Sequence, residues 1–200
     1  MKTFVMQICV GFLLATTSSV ALAQAPTGDA IPVTADNFIR AESDAVFTGL
    51  VAQGGFGKFY HNRELTPVDS RIVQRPNRDT LYSTAVFDLD AGPVTITLPD
   101  AGNRFMTMIV IDEDHYVFTV VYGTGSHTLT REQIGTRYAL VAIRILVDPN
   151  DRKDVAQVNI LQDAITVIHP GGPGRFEVPN WDQASQKKVR DALVVLVDRL

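Results

Sequence analysis

The stretch Asn77-Arg78-Asp79-Thr80-Leu81-Tyr82-Ser83-Thr84-Ala85-Val86-Phe87-Asp88-Leu89-Asp90-Ala91-Gly92-Pro93-Val94-Thr95-Ile96-Thr97-Leu98 decides the fold. From Thr80 the side chains alternate. Leu81, Ala85, Phe87 and Leu89 fall on one face, and Thr80, Tyr82, Thr84 and Asp88 on the other. A period of two marks a β-strand. Asp90-Ala91-Gly92-Pro93 has turn chemistry, and Val94, Ile96 and Leu98 then alternate with Thr95 and Thr97. Downstream, Phe105 to Ile111 is apolar on both faces, as a central strand is. Tyr116 to Tyr122 resumes the pattern after Asp112-Glu113-Asp114, and Arg137 to Val147 is a further long run. The short turns between these runs predict a β-meander, with neighbouring strands antiparallel.

Helices flank this region. Phe38, Ala41, Ala45, Val46, Phe47 and Leu50 recur at helical spacing, with Thr34 or Asp36 as cap and Gly54-Gly55 as the stop. A second helix is expected from Asp151 to Val167, with Val155, Val158, Leu161, Ile165 and Ile168 as its stripe. A third follows Asn180, where Asn180-Trp181-Asp182-Gln183 has the form of a capping box. Its Val189, Ala192, Leu193, Leu196 and Leu200 should face the core. The order helix, strands, helices excludes a doubly wound parallel sheet. The expected class is mainly β with helices (α+β): an antiparallel β-sandwich with one N-terminal and two C-terminal helices.

The N-terminus is read as an export signal. Lys2 supplies a positive start, Phe4 to Leu14 is mostly apolar, and Ala21-Leu22-Ala23 is an A-x-A cleavage site. Residues 1–23 are therefore expected to be removed, 24–32 to form a flexible leader, and 33–200 to form a single domain. The expected location is periplasmic or secreted. Cleavage takes away Cys9, the one cysteine, so the mature fold must hold without a disulfide. It also removes Lys2 and shifts the formal charge from −4 to −5. A mildly acidic chain without a basic block argues against nucleic acid. No later stretch is long and apolar enough for stable membrane insertion.

The block Asn77-Arg78-Asp79-Thr80-Leu81-Tyr82-Ser83, followed by Phe87-Asp88-Leu89, Gly92-Pro93-Val94 and Leu98-Pro99-Asp100, resembles the domain-of-unknown-function family 1254. Gly54-Gly55-Phe56-Gly57-Lys58-Phe59, Asp114-His115-Tyr116, Gly123 to Thr130 and Val178 to Gln183 are similar to it too. The resemblance covers about Val33 to Leu200. It implies an immunoglobulin-like sandwich with helical additions, in a short form that lacks the second, jelly-roll domain of larger members. It implies no activity.

Six residues stand out as candidate ligand contacts: Asn77, Arg78, Asp79, Tyr82, His115 and Trp181. In strand phase Arg78, Thr80 and Tyr82 share a face, and a guanidinium beside a hydroxyl and a phenol suits a carboxylate or a sugar. The competing reading is that Asn77 and Asp79 secure the strand entry, with Asp79 paired to Arg144. Trp181, at a helix start, is either a core anchor or a ligand platform. Asp112-Glu113-Asp114-His115 is read as a solvated turn rather than a metal site, and His61 with Glu64 is one pair on a helical turn. His127 and His169 are read as loop residues. No metal or cofactor is expected. Gly123-Thr124-Gly125-Ser126-His127 is not a nucleophile elbow, and Gly54 to Lys58 is not a phosphate loop. The expected function is that of an exported small-molecule-binding or accessory sandwich. The alternatives are a hydrolase or lyase with Asp79 or His115 as general acid or base, and a protein interaction module. The oligomeric state is left open.

Overall fold

The structure, a computed structural model, describes residues 29–67 and 77–197. Residues 1–23, read from the sequence as an export signal, Leu200 and most of the expected leader lie outside these residues. Elements run in the order α1 (Phe38–Ala52), β1 (Tyr60–His61), β2 (Thr80–Asp88), a 3-10 turn (Leu89–Ala91), β3 (Val94–Leu98), β4 (Met106–Asp112), β5 (Val117–Tyr122), β6 (Gly125–Leu129), α2 (Arg131–Ile134), β7 (Tyr138–Leu146), α3 (Arg152–Asp163), β8 (Thr166–Ile168) and α4 (Gln183–Val197). The strands form two antiparallel sheets, β1-β2-β7-β4-β5 and β6-β3-β8. This is a mixed α+β fold with antiparallel sheets, as the alternation at Thr80 to Leu98 predicts.

The meander is corrected. β2 and β3 are adjacent in sequence yet lie in different sheets, and β5 and β6 likewise; β4–β5 is a true hairpin. The tight turns at Asp90 to Pro93 and Gly123 to Gly125 carry the chain from one sheet to the other instead of back along one sheet. The main core lies between the sheets. Leu81, Ala85 and Phe87 of β2, Met108 and Val110 of β4, and Ile143 and Ile145 of β7 meet Val94, Ile96 and Leu98 of β3. Each large side chain buried there contributes about 1.5–3 kcal/mol.

The opposite face of the five-stranded sheet is only partly covered. Val86, Tyr138 and Leu140 pack under Phe47 of α1, with Phe176 beside them. Helix α4 packs outside α1 through Phe38, Ala41 and Val189. Arg190 and Gln186 of α4 also reach Glu42. Residues 191–195 of α4 face solvent: Ala192 and Leu193, expected in the core, are exposed, as are Val194 and Val195.

Three boundaries differ from expectation for local reasons. Residues 166–168 are a strand on β3, not the end of the preceding helix. The β-branched run Thr166-Val167-Ile168 favours extended chain. Asp182, rather than Asn180, caps α4, its carboxylate accepting from Ala184 N (3.2 Å) and Ser185 N (3.0 Å). His61 lies on β1 opposite Ser83, so it shares no helical turn with Glu64. His127 sits on β6 opposite Ile96. The leader's end is fastened: Ile31 N donates to Asn180 O (2.7 Å), and Asp182 N to Ile31 O (2.8 Å).

Candidate functional site

The strand registers put four residues in one row across the uncovered half of the large sheet. Tyr82 lies opposite Arg144, Arg144 opposite Thr107, and Thr107 opposite Tyr122. Directly opposed residues share a face, so the row reads Tyr, Arg, Thr, Tyr over β2, β7, β4 and β5. At about 4.8 Å per strand it spans roughly 15 Å. The next row toward α1 is Thr84, Ala142, Ile109 and Val120, with Tyr60 beyond Thr84. On the other side, Leu146 N donates to Phe105 O (2.9 Å), so these two apolar side chains border the row. Tyr122 is 70% exposed, and Tyr60, Phe105, Val120 and Leu146 are exposed as well. Phe105 and Tyr122 meet edge to face at 6.1 Å.

Arg144 is half-buried in this row and makes no ion pair or hydrogen bond among the described residues. Thr107 is buried, and its hydroxyl donates to Val121 O (3.0 Å). Behind the row, Gln162 of α3 has no exposed surface and donates to Asn62 O (3.2 Å) and Tyr82 O (3.1 Å), which fixes the β2 backbone under Tyr82.

Other candidates sit elsewhere. Asn77 Oδ1 accepts from Asp79 N (2.7 Å), a local turn that starts β2. Arg78 is exposed and its Nε donates to Thr66 O (3.0 Å). Asp79 is exposed, not paired with Arg144. Its backbone carbonyl accepts from Val147 N (2.8 Å). Its side chain borders an open depression of about 490 Å³ lined also by Arg104, Leu146, Asp148, Asp151 and Asp154. Arg104 clamps Asp154, and that bond, with a second from Asp148 N, holds the Asp154 carboxyl down at about 2. Asp79 and Tyr82 thus take opposite sides of β2, and the guanidinium beside Tyr82 is Arg144, not Arg78.

His115 and Trp181 both meet the middle of α1, through adjacent residues. Ser43 Oγ lies 3.1 Å from His115 Nδ1, and Trp181 Nε1 donates to Asp44 Oδ2 (2.8 Å). Ser43 is wholly buried, so this contact tethers the β4–β5 hairpin rather than presenting a nucleophile. His115 has φ 67°, which the tight hairpin turn requires. Within the turn, read as solvated from the sequence, Glu113 is buried. It accepts from Tyr138 N (2.9 Å) and pairs with Arg40 (3.2 Å), which also holds Asp114 (2.6 Å). Asp44 is 2% exposed, and its Oδ1 has no hydrogen-bond partner. Burial pushes its carboxyl up to about 6, against the Trp181 hydrogen bond and with nearby Glu113 adding to the rise. Sequence reading missed Ser43 and Asp44 because both sit inside a helical stripe.

Three residues of the open row, Arg144, Thr107 and Tyr122, were also not singled out as ligand contacts. Arg144 carried a signal: it is a charge in an otherwise apolar strand.

No curated protein matches the chain. The crystal structure of the VPA0106 protein from Vibrio parahaemolyticus is similar in fold, with a TM-score of 0.51 and 16% identity over 74% of this chain. The alignment takes in 41% of that protein's length. The model of a family described as "Protein of unknown function (DUF1254)" matches residues 56–169. That span holds β2, β7, β4 and β5, which carry the open row, and is more than half of the 200 residues; the chain belongs to the DUF1254 family.

Proposed function

We propose that this protein is an exported binding protein that holds a small organic molecule on the open half of its five-stranded sheet. The observation that carries the reading is the exposed apolar and aromatic surface around Tyr82, Phe105, Val120 and Tyr122, next to a roofed half of the same sheet. Exposed apolar surface of this kind, with a few polar groups in it, marks binding surfaces. Export rests on the sequence of residues 1–23. Thermal-shift screening of the mature protein against small aromatic and aliphatic compounds tests binding. The expected result is stabilisation by a subset of them, lost in a Tyr82→Ala/Tyr122→Ala double variant that keeps its fold. No stabilisation by any compound counts against the reading. Cell fractionation with N-terminal sequencing tests export: mature protein beginning near Gln24 supports it, and intact precursor in the cytosol overturns it.

A second reading, an interaction module, is favoured by β5. This edge strand, Val-Phe-Thr-Val-Val-Tyr, carries no charge and exposes Val117, Phe118, Val120 and Tyr122. Uncharged edges pair readily with other strands, although the bulge opposite Val110 and Ile111 shortens the flat part. Light scattering after size exclusion separates the two readings, because a monomer at high concentration excludes self-pairing.

A further inference from the structure

We infer that the molecule held on the open sheet is a monocarboxylate with a flat apolar body, its carboxylate on Arg144 and its body against Tyr82, Tyr122 or Phe105. This inference rests on the binding role proposed above and names the chemistry that the row selects. Three observations carry it.

The first is the state of Arg144. A guanidinium presents five donors in a rigid fork and accepts nothing. The other partly buried arginines are engaged, as Arg137 holds Asp88, Arg104 holds Asp154 and Arg40 holds Glu113 and Asp114, whereas Arg78, Arg152 and Arg175, which also lack a carboxylate partner among the described residues, are exposed to water. Arg144 is half-buried and has no such partner among the described residues. A partly desolvated cation lacking a counter-ion favours an anionic ligand, and a carboxylate matches the fork with two parallel hydrogen bonds.

The second is what surrounds it. Thr107 is turned to Val121 O and does not compete. Tyr82 and Tyr122 stand one and two strands away in the same row, at backbone spacings of about 5 and 10 Å from Arg144. Their hydroxyls have no hydrogen-bond partner among the described residues. Leu146 and Phe105 on one side and Ala142, Ile109 and Val120 on the other make the floor apolar. A ring attached to a carboxylate is long enough to reach from one strand of the row to the next.

The third is the sign of the charge beyond the row. Leu146 borders both the row and the depression that holds Asp79, Asp148 and Asp151. None of those three carboxylates has an ion pair among the described residues. A single guanidinium beside this acidic rim suits one negative charge and disfavours a phosphate dianion or a dicarboxylate.

Calorimetric titration of the mature protein with phenylacetate and with its neutral isostere phenylacetamide tests the assignment, using wild type, Arg144→Gln and Arg144→Lys. The acid is expected to bind wild type at least tenfold tighter than the amide. Arg144→Gln should bring the acid down to the affinity of the amide while leaving the amide unchanged. Arg144→Lys should retain part of the preference, because it keeps the charge and loses the fork. Equal binding of acid and amide by wild type, or an acid preference that survives in Arg144→Gln, overturns the inference and leaves the binding role standing. Should Arg144→Gln fail to fold, the acid-to-amide ratio in wild type and Arg144→Lys decides. Failure of both compounds to bind wild type overturns the inference, and the absence of any ligand in the wider thermal-shift panel overturns the binding role with it.

Discussion

Replacing Asp44 by Asn should make the protein more stable relative to wild type as pH rises. Asp44 is almost fully buried; one carboxylate oxygen takes the Trp181 indole proton and the other has no partner. Its pKa rises from 3.8 unfolded to about 6 folded. The folded state then binds more protons than the unfolded state between those values, so stability falls as pH rises through the window. The penalty is absent below 3.8 and complete above about 6. At about 1.36 kcal/mol per pH unit it reaches about 3 kcal/mol. Asn keeps the shape and the acceptor for Trp181 but never ionises. It leaves its buried NH2 group without a partner, at a cost of about 1–3 kcal/mol that does not vary with pH. The readout is therefore the pH dependence of the difference. Urea unfolding of wild type and Asp44→Asn at pH 4, 5, 6, 7 and 8 should show the variant gaining about 2.5 kcal/mol on wild type across the series. A difference that stays flat, or that moves toward wild type as pH rises, refutes the account of Asp44 as a buried, ionising, half-satisfied carboxyl.

Asp88→Ala should cost about 2–3 kcal/mol in urea unfolding at pH 7, since it takes away the two-bond partner of Arg137, which keeps Glu177 and the Arg175 carbonyl, and removes the acceptor for Arg175 N (3.1 Å) and Asp90 N (3.1 Å). The Arg137 and backbone hydrogen bonds outweigh burial and hold the Asp88 carboxyl below its usual value, so wild type should lose this stability below the ordinary carboxylate range while the variant does not. Gly171→Ala should destabilise far more than Gly172→Ala in thermal melts. A methyl at Gly171 runs into the Ala91 carbonyl, whereas at Gly172 it meets open space and costs about 1–2 kcal/mol for the left-handed backbone (φ 75°). Tyr138→Phe should cost about 1–2 kcal/mol, because its hydroxyl donates to Arg175 O (2.8 Å) and accepts from Glu177 N (2.8 Å).

The strands were legible because their signal is local. Leu81, Phe87, Val94, Ile96 and Leu98 alternate at strand period, and all five lie in the main core. What was not legible was which strand pairs with which. The turn Asp90 to Pro93 looks the same whether it reverses within a sheet or crosses between sheets. Arg144 shows the same limit: its oddness in an apolar strand is visible, but its neighbour is set by the register Tyr82↔Arg144, not by anything near it in the chain. Leu193 read as core because helical periodicity records which residues share a side, not whether anything covers that side. Asp44 was hidden by its place on α1, since its importance comes from Trp181, far along the chain.

The alternation of consecutive strands between two sheets bears on how the molecule assembles. Thr80 must find Leu146 and Asp88 must find Tyr138 before β2 has its main partner. β4–β5 is the stretch that can close early, since its strands are neighbours in sequence. Loops of that length close at an entropic cost before any core forms, and folds dominated by such distant pairings assemble in milliseconds to seconds rather than microseconds. The core between the sheets cannot close until β7 has joined β2 and β4. Mutations that strengthen the β4–β5 hairpin alone should leave the folding rate nearly unchanged, whereas weakening the β2–β7 contact should slow it.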